Sequence, residues 1–108
     1  MTFGLTSTLL DACTLGVVSK EATYGYDLTQ KVKASVEVSE STLYPVLRRL
    51  FKEGLLETYD EPFDGRNRRY YKITSKGEDL LGLYTEEWNN FKAKIDGLLK
   101  GGENSAAQ

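Results

Sequence analysis

A short run of basic residues is the feature of this sequence with the clearest chemical meaning. Residues 66–72 read Arg-Asn-Arg-Arg-Tyr-Tyr-Lys and carry four positive charges without an acidic residue. Arg48, Arg49 and Lys52 form a second basic group upstream, although the net charge of the whole chain is −2. Local positive charge on a slightly acidic protein is the electrostatic footprint expected for contact with DNA phosphates. The total numbers of acidic and basic residues alone leave an alternative open, in which the charges are simply scattered over the surface.

Hydroxyl-bearing side chains precede the second basic group, in the first turns of a predicted helix. They are Ser39, Ser41, Thr42 and Tyr44. At the start of a recognition helix, hydroxyls can reach phosphates or base edges in the major groove. Ser39 is also a good N-cap, and capping is its favoured role. Arg48 and Arg49 are adjacent and point to different faces, so one can contact phosphates while the other forms an intramolecular ion pair.

Residue types that serve catalysis or metal binding are scarce. The chain has no histidine and a single cysteine, Cys13. An internal disulfide or a tetrahedral zinc site needs a further thiolate or an imidazole. The commonest general base, which is also the usual partner of a serine or cysteine nucleophile, is missing as well. We therefore expect no enzymatic activity, no metal and no cofactor, and we expect Cys13 to be a buried, small apolar residue.

The size and composition indicate one globular domain. The chain has 108 residues, of which 28% are charged and 40% hydrophobic, which is enough for one core and too little for two. No stretch approaches the ~20 apolar residues that cross a bilayer. The segment Met1–Gly4 lacks the basic residues and apolar run of a signal peptide. We expect a cytoplasmic protein with no membrane partner.

Three helices are predicted for the first half of the chain. Apolar and small residues recur at helical spacing over residues 5–19, and a second helix opens at Tyr24–Asp27. A third helix is predicted from the N-cap Ser39 to about Glu53, with Gly54 as the left-handed residue that follows it.

The residues after the third helix predict a β-hairpin. Strands are predicted over residues 55–61 and 68–74, joined by a loop over residues 62–67 that contains Pro, Gly and Asn. Tyr70 and Tyr71 should point to opposite faces, so that one is in the core and the other exposed. Three helices followed by a hairpin is the order of elements in a winged helix-turn-helix, which is a mainly α fold of the α+β class.

Three polar residues fall at the predicted wing, the hairpin of this fold. They are Arg66, Asn67 and Arg68. Wings commonly lie along the DNA backbone or insert an arginine into a narrow minor groove. We expect at least one of the two arginines to contact DNA. A basic hairpin that protects an exposed sheet edge is the alternative.

A long fourth helix is predicted to begin with a capping box over residues 75–78. Its apolar residues recur in steps of three and four, which is heptad spacing. They are Leu81, Tyr84, Trp88, Phe91, Ile95 and Leu98. This stripe would face water in a monomer, so we expect a homodimer. The predicted organisation is a DNA-binding domain over residues 1–74, a dimerisation helix over residues 75–102 and a disordered tail over residues 103–108.

Three segments of the chain resemble the PadR family of bacterial repressors. Residues 41–55 are similar to its recognition helix, residues 65–77 to its wing and the following helix start, and residues 24–28 to the opening of its second helix. The resemblance covers about residues 5–100. A single C-terminal helix with Trp88 near its centre looks like the shorter, multidrug-responsive subfamily.

The resemblance implies a repressor that binds a pseudo-palindromic double-stranded DNA operator, often of the ATGT…ACAT type, as a homodimer. It also implies release by a small-molecule effector, with planar aromatic ligands stacked between the two Trp88 rings. The first helix is then expected to supply the other wall of the ligand site, through Ser7, Leu10, Asp11 and Thr14. A tryptophan at this position can equally be dimer core alone. A winged-helix protein–protein interaction module that never touches DNA is the alternative function, and the basic wing argues against it.

Overall fold

The computed structural model describes residues 4–101, and within them the chain forms four helices and one three-stranded sheet. The helices are α1 (Ser7–Lys20), α2 (Gly25–Ser35), α3 (Glu40–Lys52) and α4 (Ser75–Leu99), and the strands are β1 (Thr23–Tyr24), β2 (Leu56–Phe63) and β3 (Arg66–Ile73). Strand β3 lies between β1 and β2 and is antiparallel to both. The predicted mainly helical α+β fold of a winged helix-turn-helix with a long C-terminal helix is confirmed. The tail predicted over residues 103–108, with residue 102, lies outside the described residues.

Helix α1 is the centre of the fold, because it packs against α2, α3, α4 and β3. Leu15 and Val18 are almost inaccessible to solvent. The buried Thr14 hydroxyl donates to the Leu10 carbonyl at 2.8 Å, so this polar side chain is satisfied within its own helix. Leucines from the other elements close around α1. The nearly inaccessible ones are Leu28, Leu43, Leu47, Leu50 and Leu56. No helix in this described part of the chain is both long and apolar enough to cross a membrane.

Helix α3 ends in a Schellman motif that turns the chain into the sheet. Gly54 has a φ of +79°, in the left-handed region that glycine enters without steric penalty. Its N–H donates to the Phe51 carbonyl at 3.0 Å, and the N–H of Leu55 donates to the Leu50 carbonyl at 2.9 Å. The left-handed Gly54 predicted from the sequence is therefore confirmed.

The start of α4 is bound to this turn by Thr74. The Thr74 hydroxyl accepts a hydrogen bond from the N–H of Gly77 at 3.0 Å and donates to the Gly54 carbonyl at 2.7 Å. The predicted capping box at residue 75 is wrong by one position. Thr74 has the extended backbone that an N-cap requires, at φ −92° and ψ 169°, whereas Ser75 is already the first helical residue.

Gly77 allows the first turn of α4 to contact this turn directly. A Cβ atom at this buried position would clash with the Leu55 carbonyl oxygen and would lie 2.7 Å from Cγ1 of Ile73. The Lys76 ammonium adds a hydrogen bond to the Glu53 carbonyl at 2.9 Å. These contacts attach the start of α4 to the turn that follows α3.

Strand β1 was not predicted. Tyr24 was expected to open the second helix, but Thr23 and Tyr24 pair with Tyr71 and Tyr70 of β3, and α2 begins at Gly25. The edge of β3 would otherwise lack partners for its backbone groups, and the two-residue strand supplies them. This pairing links the wing to the first helix of the helix-turn-helix pair.

The wing is longer than predicted. The expected loop over residues 62–67 is wrong, because Phe63 pairs with Arg66 and only Asp64 and Gly65 form the turn. Their φ values of 53° and 75° are those of a type I′ turn, whose twist matches that of the flanking strands. Pro62 is tolerated within β2 because β2 is an edge strand of the sheet.

The joint between α3 and α4 predicts opposite effects for two glycine substitutions in α4. Gly77→Ala should destabilise the fold by about 1–3 kcal/mol, because the methyl group has no room beside Leu55. Gly82→Ala should stabilise it by ~0.5–1 kcal/mol, because that position faces open space within the same helix. Urea unfolding at one protein concentration measures both. Equal effects of the two substitutions would contradict the close contact at Gly77.

Candidate nucleic-acid interface

The surface of α3 carries several of the side chains predicted to bind DNA. Helix α3 buries Leu43, Val46, Leu47 and Leu50 against the core. Ser41, Thr42 and Arg48 are exposed on its other side. Tyr44 is half-buried and packs against the core, so it lies at the margin of this surface.

Three hydroxyls cluster at the N-terminus of α3. Ser39 is the N-cap, and its Oγ accepts a hydrogen bond from the N–H of Thr42 at 3.2 Å. The same oxygen lies 3.0 Å from Oγ of Ser41 and 3.1 Å from Oγ1 of Thr42. Ser39 thus has the capping role that was favoured. All three side chains are exposed at the positive end of the helix dipole, where an anion is stabilised.

The N-terminus of α3 is held in place by α2. The Glu40 carboxylate accepts a hydrogen bond from Nε2 of Gln30 at 2.9 Å and forms an ion pair with Nζ of Lys33 at 3.3 Å. Glu40 was not singled out in the sequence. Its position directly after the N-cap Ser39 was the available signal, because acidic residues are favoured in the first turn of a helix.

Arg48 and Arg49 have different surroundings, as their adjacency predicted. Arg49 donates to the nearly buried Asp11 carboxylate of α1 at 2.6 Å, and its other nitrogen lies 3.6 Å from Glu53. The hydrogen bond to Asp11 raises the pKa of Arg49. Arg48 is exposed. Arg49 therefore has the intramolecular role, and Arg48 remains available on the surface.

Tyr71 lies on the face of β3 that packs against the core. Burial raises the pKa of Tyr71, the charges of Arg69 and Arg48 oppose that rise, and Tyr44 adds to it. Arg69 shares the Tyr71 face of the hairpin and is exposed, and Arg48 is exposed on α3.

The opposite face of the sheet carries a cluster of aromatic rings. Tyr59 and Tyr70 stack with ring centroids 5.4 Å apart, and Tyr24 lies 5.9 Å from Tyr70. The prediction that either Tyr70 or Tyr71 would be exposed is wrong, because both are half-buried. Strand β1, which was not predicted, places Tyr24 against Tyr70 and so shields the Tyr70 ring from solvent.

The three predicted wing residues differ in their surroundings. Arg66 and Asn67 are exposed beside the turn. Arg68 is half-buried between two rings, with its guanidinium carbon 3.6 Å from the Phe63 centroid and 4.5 Å from the Tyr24 centroid. The sequence did not predict either ring contact. Phe63 was expected in the loop and Tyr24 at the start of the second helix, so both were placed outside the sheet.

The residues predicted to bind a ligand lie in two different environments. Trp88 is 42% exposed, with its ring centroid 6.4 Å from that of Phe91, and Ser7 is exposed as well. Leu10 and Thr14 are buried inside the protomer, and Asp11 is paired with Arg49. Of the four α1 residues, Ser7 is the one whose side chain reaches the protomer surface.

The predicted dimer stripe packs against the protomer's own core only at its start. Leu81 and Tyr84 are half-buried and pack against the protomer's own core. Burial raises the pKa of Tyr84, and the charge of Asp11 adds to the rise. Farther along α4, Ile95 is half-buried, whereas Phe91 and Leu98 are 56% and 78% exposed.

Cys13 is less buried than expected. It is half-buried in a groove between α1 and α2 that is also lined by Gly16, Val17 and Val32. Burial raises the pKa of the Cys13 thiol, which disfavours the reactive thiolate.

Comparisons with known sequences identify the family to which the chain is similar. The model of the transcriptional regulator PadR-like family matches residues 14–82. An uncharacterised protein of Lysinibacillus sphaericus is 35% identical over 97 residues, which cover 85% of this chain and 89% of that protein. A transcriptional regulator of Mycobacterium tuberculosis is 42% identical over 59 residues, which cover 54% of this chain and 55% of the regulator.

Solved structures are similar over most of the chain. A crystal structure of a Streptococcus mutans protein is 42% identical with a TM-score of 0.86, covering 94% of this chain and 95% of the other. A PadR-like transcriptional regulator from Bacillus cereus is 35% identical with a TM-score of 0.79, covering 86% of this chain and 93% of the other. The chain belongs to the PadR-like family of transcriptional regulators.

Proposed function

We propose that this protein is a repressor that binds a pseudo-palindromic DNA operator as a homodimer and releases it when a small planar aromatic molecule binds. The observation that carries the proposal is the set of exposed hydroxyl and basic side chains on α3, together with the exposed basic side chains of the wing. A surface with these groups can neutralise phosphates and donate hydrogen bonds to base edges.

Helix α3 is the proposed recognition helix. Thr42 is assigned to base edges, because its hydroxyl and methyl group are exposed in the first turn. Ser39 and Ser41 are assigned to phosphates at the helix N-terminus, with Tyr44 at the margin of the contact. Arg48 is assigned to a phosphate farther along the helix.

The wing is the second proposed DNA contact. Arg66 and Asn67 are exposed beside the two-residue turn, where a hairpin can reach the backbone or the minor groove next to the recognition helix. Contacts from two separate elements fix the register of the protein on the duplex.

Helix α4 is the proposed dimerisation element. Trp88, Phe91 and Leu98 leave an apolar stripe uncovered in the protomer. Soluble proteins rarely expose such a patch unless it binds a partner. Packing this stripe against its copy across a two-fold axis would bury it and would give a symmetric pair of recognition helices. The domain division at residues 74 and 75 follows from this assignment, with DNA binding before it and dimerisation after it.

Trp88 is the proposed effector contact, as the resemblance to the multidrug-responsive subfamily implies. It lies midway along the stripe, so its symmetry mate should lie close to it across the dimer axis. Two bulky indoles that face each other leave planar space that small side chains cannot fill. Their faces suit aromatic stacking and cation–π contacts. Among the predicted α1 residues, the exposed Ser7 is the best placed to extend this site.

The alternative, an interaction module without DNA binding, has no comparable support. The family is one of transcriptional regulators, and an interaction module has no need of a basic wing beside Arg48. The cytoplasm remains the expected location, because the operator of a bacterial regulator lies there.

The recognition role of α3 can be tested with two substitutions that should behave differently. After selection of an operator from random duplexes with the full-length protein, Thr42→Val should change the ranking of operator variants by about fivefold, or ~1 kcal/mol. Arg48→Gln should weaken binding to all variants and lower the log–log salt slope by ~0.9. Lys92→Gln, which removes the same charge from α4, is the control. Unchanged ranking and slope in both α3 variants would contradict the assignment.

The effector site can be tested through the intrinsic fluorescence of Trp88, the single tryptophan of the chain. A phenolic carboxylate or a planar organic cation should quench it. The quenching compound should also weaken operator binding about tenfold, which requires ~1.4 kcal/mol of preference for the DNA-free arrangement. Leu83→Ala, which truncates another exposed side chain of α4, should respond normally. If Trp88→Ala dimerises and is released with unchanged affinity for the compound, the tryptophan is dimer core alone.

A further inference from the structure

We infer that Arg69 is a further phosphate contact of the wing and that its neighbour Arg68 is a positioning residue that braces the wing from the opposite face. The inference rests on the proposed function, because it assigns roles within the same DNA-binding surface. The sequence places Arg69 in the basic run 66–72, but it predicts Arg66, Asn67 and Arg68, and not Arg69, as the wing residues that contact DNA.

The register of the hairpin separates the two arginines. Arg68 is paired with Glu61, and Arg69 is paired with Asp60. Successive side chains of a strand point to opposite faces, so Arg68 shares a face with Tyr70 and Arg69 shares a face with Tyr71. Arg68 and Arg69 therefore point to opposite faces of the hairpin and cannot make the same contact with one DNA backbone.

The face of Arg69 is the face that continues the surface of the recognition helix. Tyr71 packs against the core, and its ring lies beside Gly25 at the start of α2, so the Tyr71 and Arg69 face of the hairpin is turned towards the helices. A duplex that contacts Arg48 on α3 is therefore expected to meet the Arg69 side of the hairpin. The Arg69 side chain is 63% exposed, so it is free to turn towards a phosphate.

The present partner of Arg69 is easily exchanged. Nε of Arg69 lies 3.5 Å from the Asp60 carboxylate, and both side chains are largely exposed. Exposed ion pairs of this length contribute little and weaken with salt. A phosphate can replace Asp60 as the partner, because it offers a stronger, charge-assisted hydrogen bond.

Arg68 is fixed on the other face. Its guanidinium plane lies between Phe63, next to the turn, and Tyr24, the residue directly before α2. Tyr24 in turn contacts Tyr70, which stacks on Tyr59. The stacked side chains connect the tip of the wing to the start of α2, so Arg68 sets the angle of the wing relative to the helix-turn-helix pair.

The two roles can be separated by the salt dependence of DNA binding. The full-length protein is titrated with the selected operator and with a mixed-sequence duplex of ~30 base pairs, between ~50 and 200 mM salt. Arg69→Gln should lower the log–log slope by ~0.9, and Arg69→Lys, which keeps the charge, should restore it. Arg68→Gln removes the same charge one residue away and should weaken binding at every salt concentration with little change in slope. Phe63→Leu, which removes no charge, should behave like Arg68→Gln.

Backbone amide exchange in the absence of DNA gives a second, independent reading. Arg68→Gln should accelerate exchange at the paired residues beside the turn, Phe63 and residues 66–68, whereas Arg69→Gln should leave it unchanged. A slope loss in Arg68→Gln, or an unchanged slope in Arg69→Gln, would overturn the assignment of the contact. If amide exchange in the wing is equally fast in Arg68→Gln and Arg69→Gln, the bracing role of Arg68 would be overturned. If the wild-type protein binds neither duplex, the proposed function is refuted. The amide exchange rates would then still test whether Arg68 braces the wing.

Discussion

The close contact between the end of α3 and the start of α4 is the constraint on which the other features depend. Gly77 brings α4 against the Leu55 carbonyl, and the Thr74 hydroxyl joins the Gly54 carbonyl to the first turn of α4. Helix α3, the proposed recognition helix, and α4, which carries the uncovered apolar stripe, are thereby held together through the turn that follows α3. In a dimer formed along α4, the separation of two recognition helices would follow directly from how the two α4 helices pack.

A second connection reaches α3 from α1. Arg49 lies on α3 beside exposed Arg48, and it pairs with Asp11 of α1, which also acts on Tyr84 of α4. The sequence predicted Asp11 as a ligand contact and Arg49 as a candidate DNA contact. Within the protomer these two residues instead pair with each other.

Much of the fold could be predicted because its signals are local. The cap at Ser39, the left-handed Gly54 and the change from helical to strand periodicity near Leu55 are each visible within a few residues. The length of the wing and strand β1 could not be predicted in the same way. Both depend on pairing between distant segments, and the edge of β3 recruits Tyr24 although the local pattern favours a helix there.

The sequence indicates which residue types could form the candidate site, but it does not give their orientation. Which arginine faces which partner depends on how the elements pack and on the hairpin register. Arg49 could be assigned to Asp11 only once α1 and α3 had been placed side by side. Arg68 could be separated from Arg69 only once the hairpin register was known, because a shift of one residue exchanges the two faces.

Footprinting of the full-length protein on its selected operator is the most direct test of the central claim, that two copies joined along α4 present two recognition helices to one duplex. Hydroxyl-radical cleavage should reveal two protected segments whose centres are ~10 base pairs, or a multiple of that, apart. Phe91→Asp, which places a charge in the uncovered stripe, should sediment as a monomer and lose the paired protection, whereas Asn89→Asp should retain both. A wild-type protein that sediments as a monomer and protects a single segment would contradict the account.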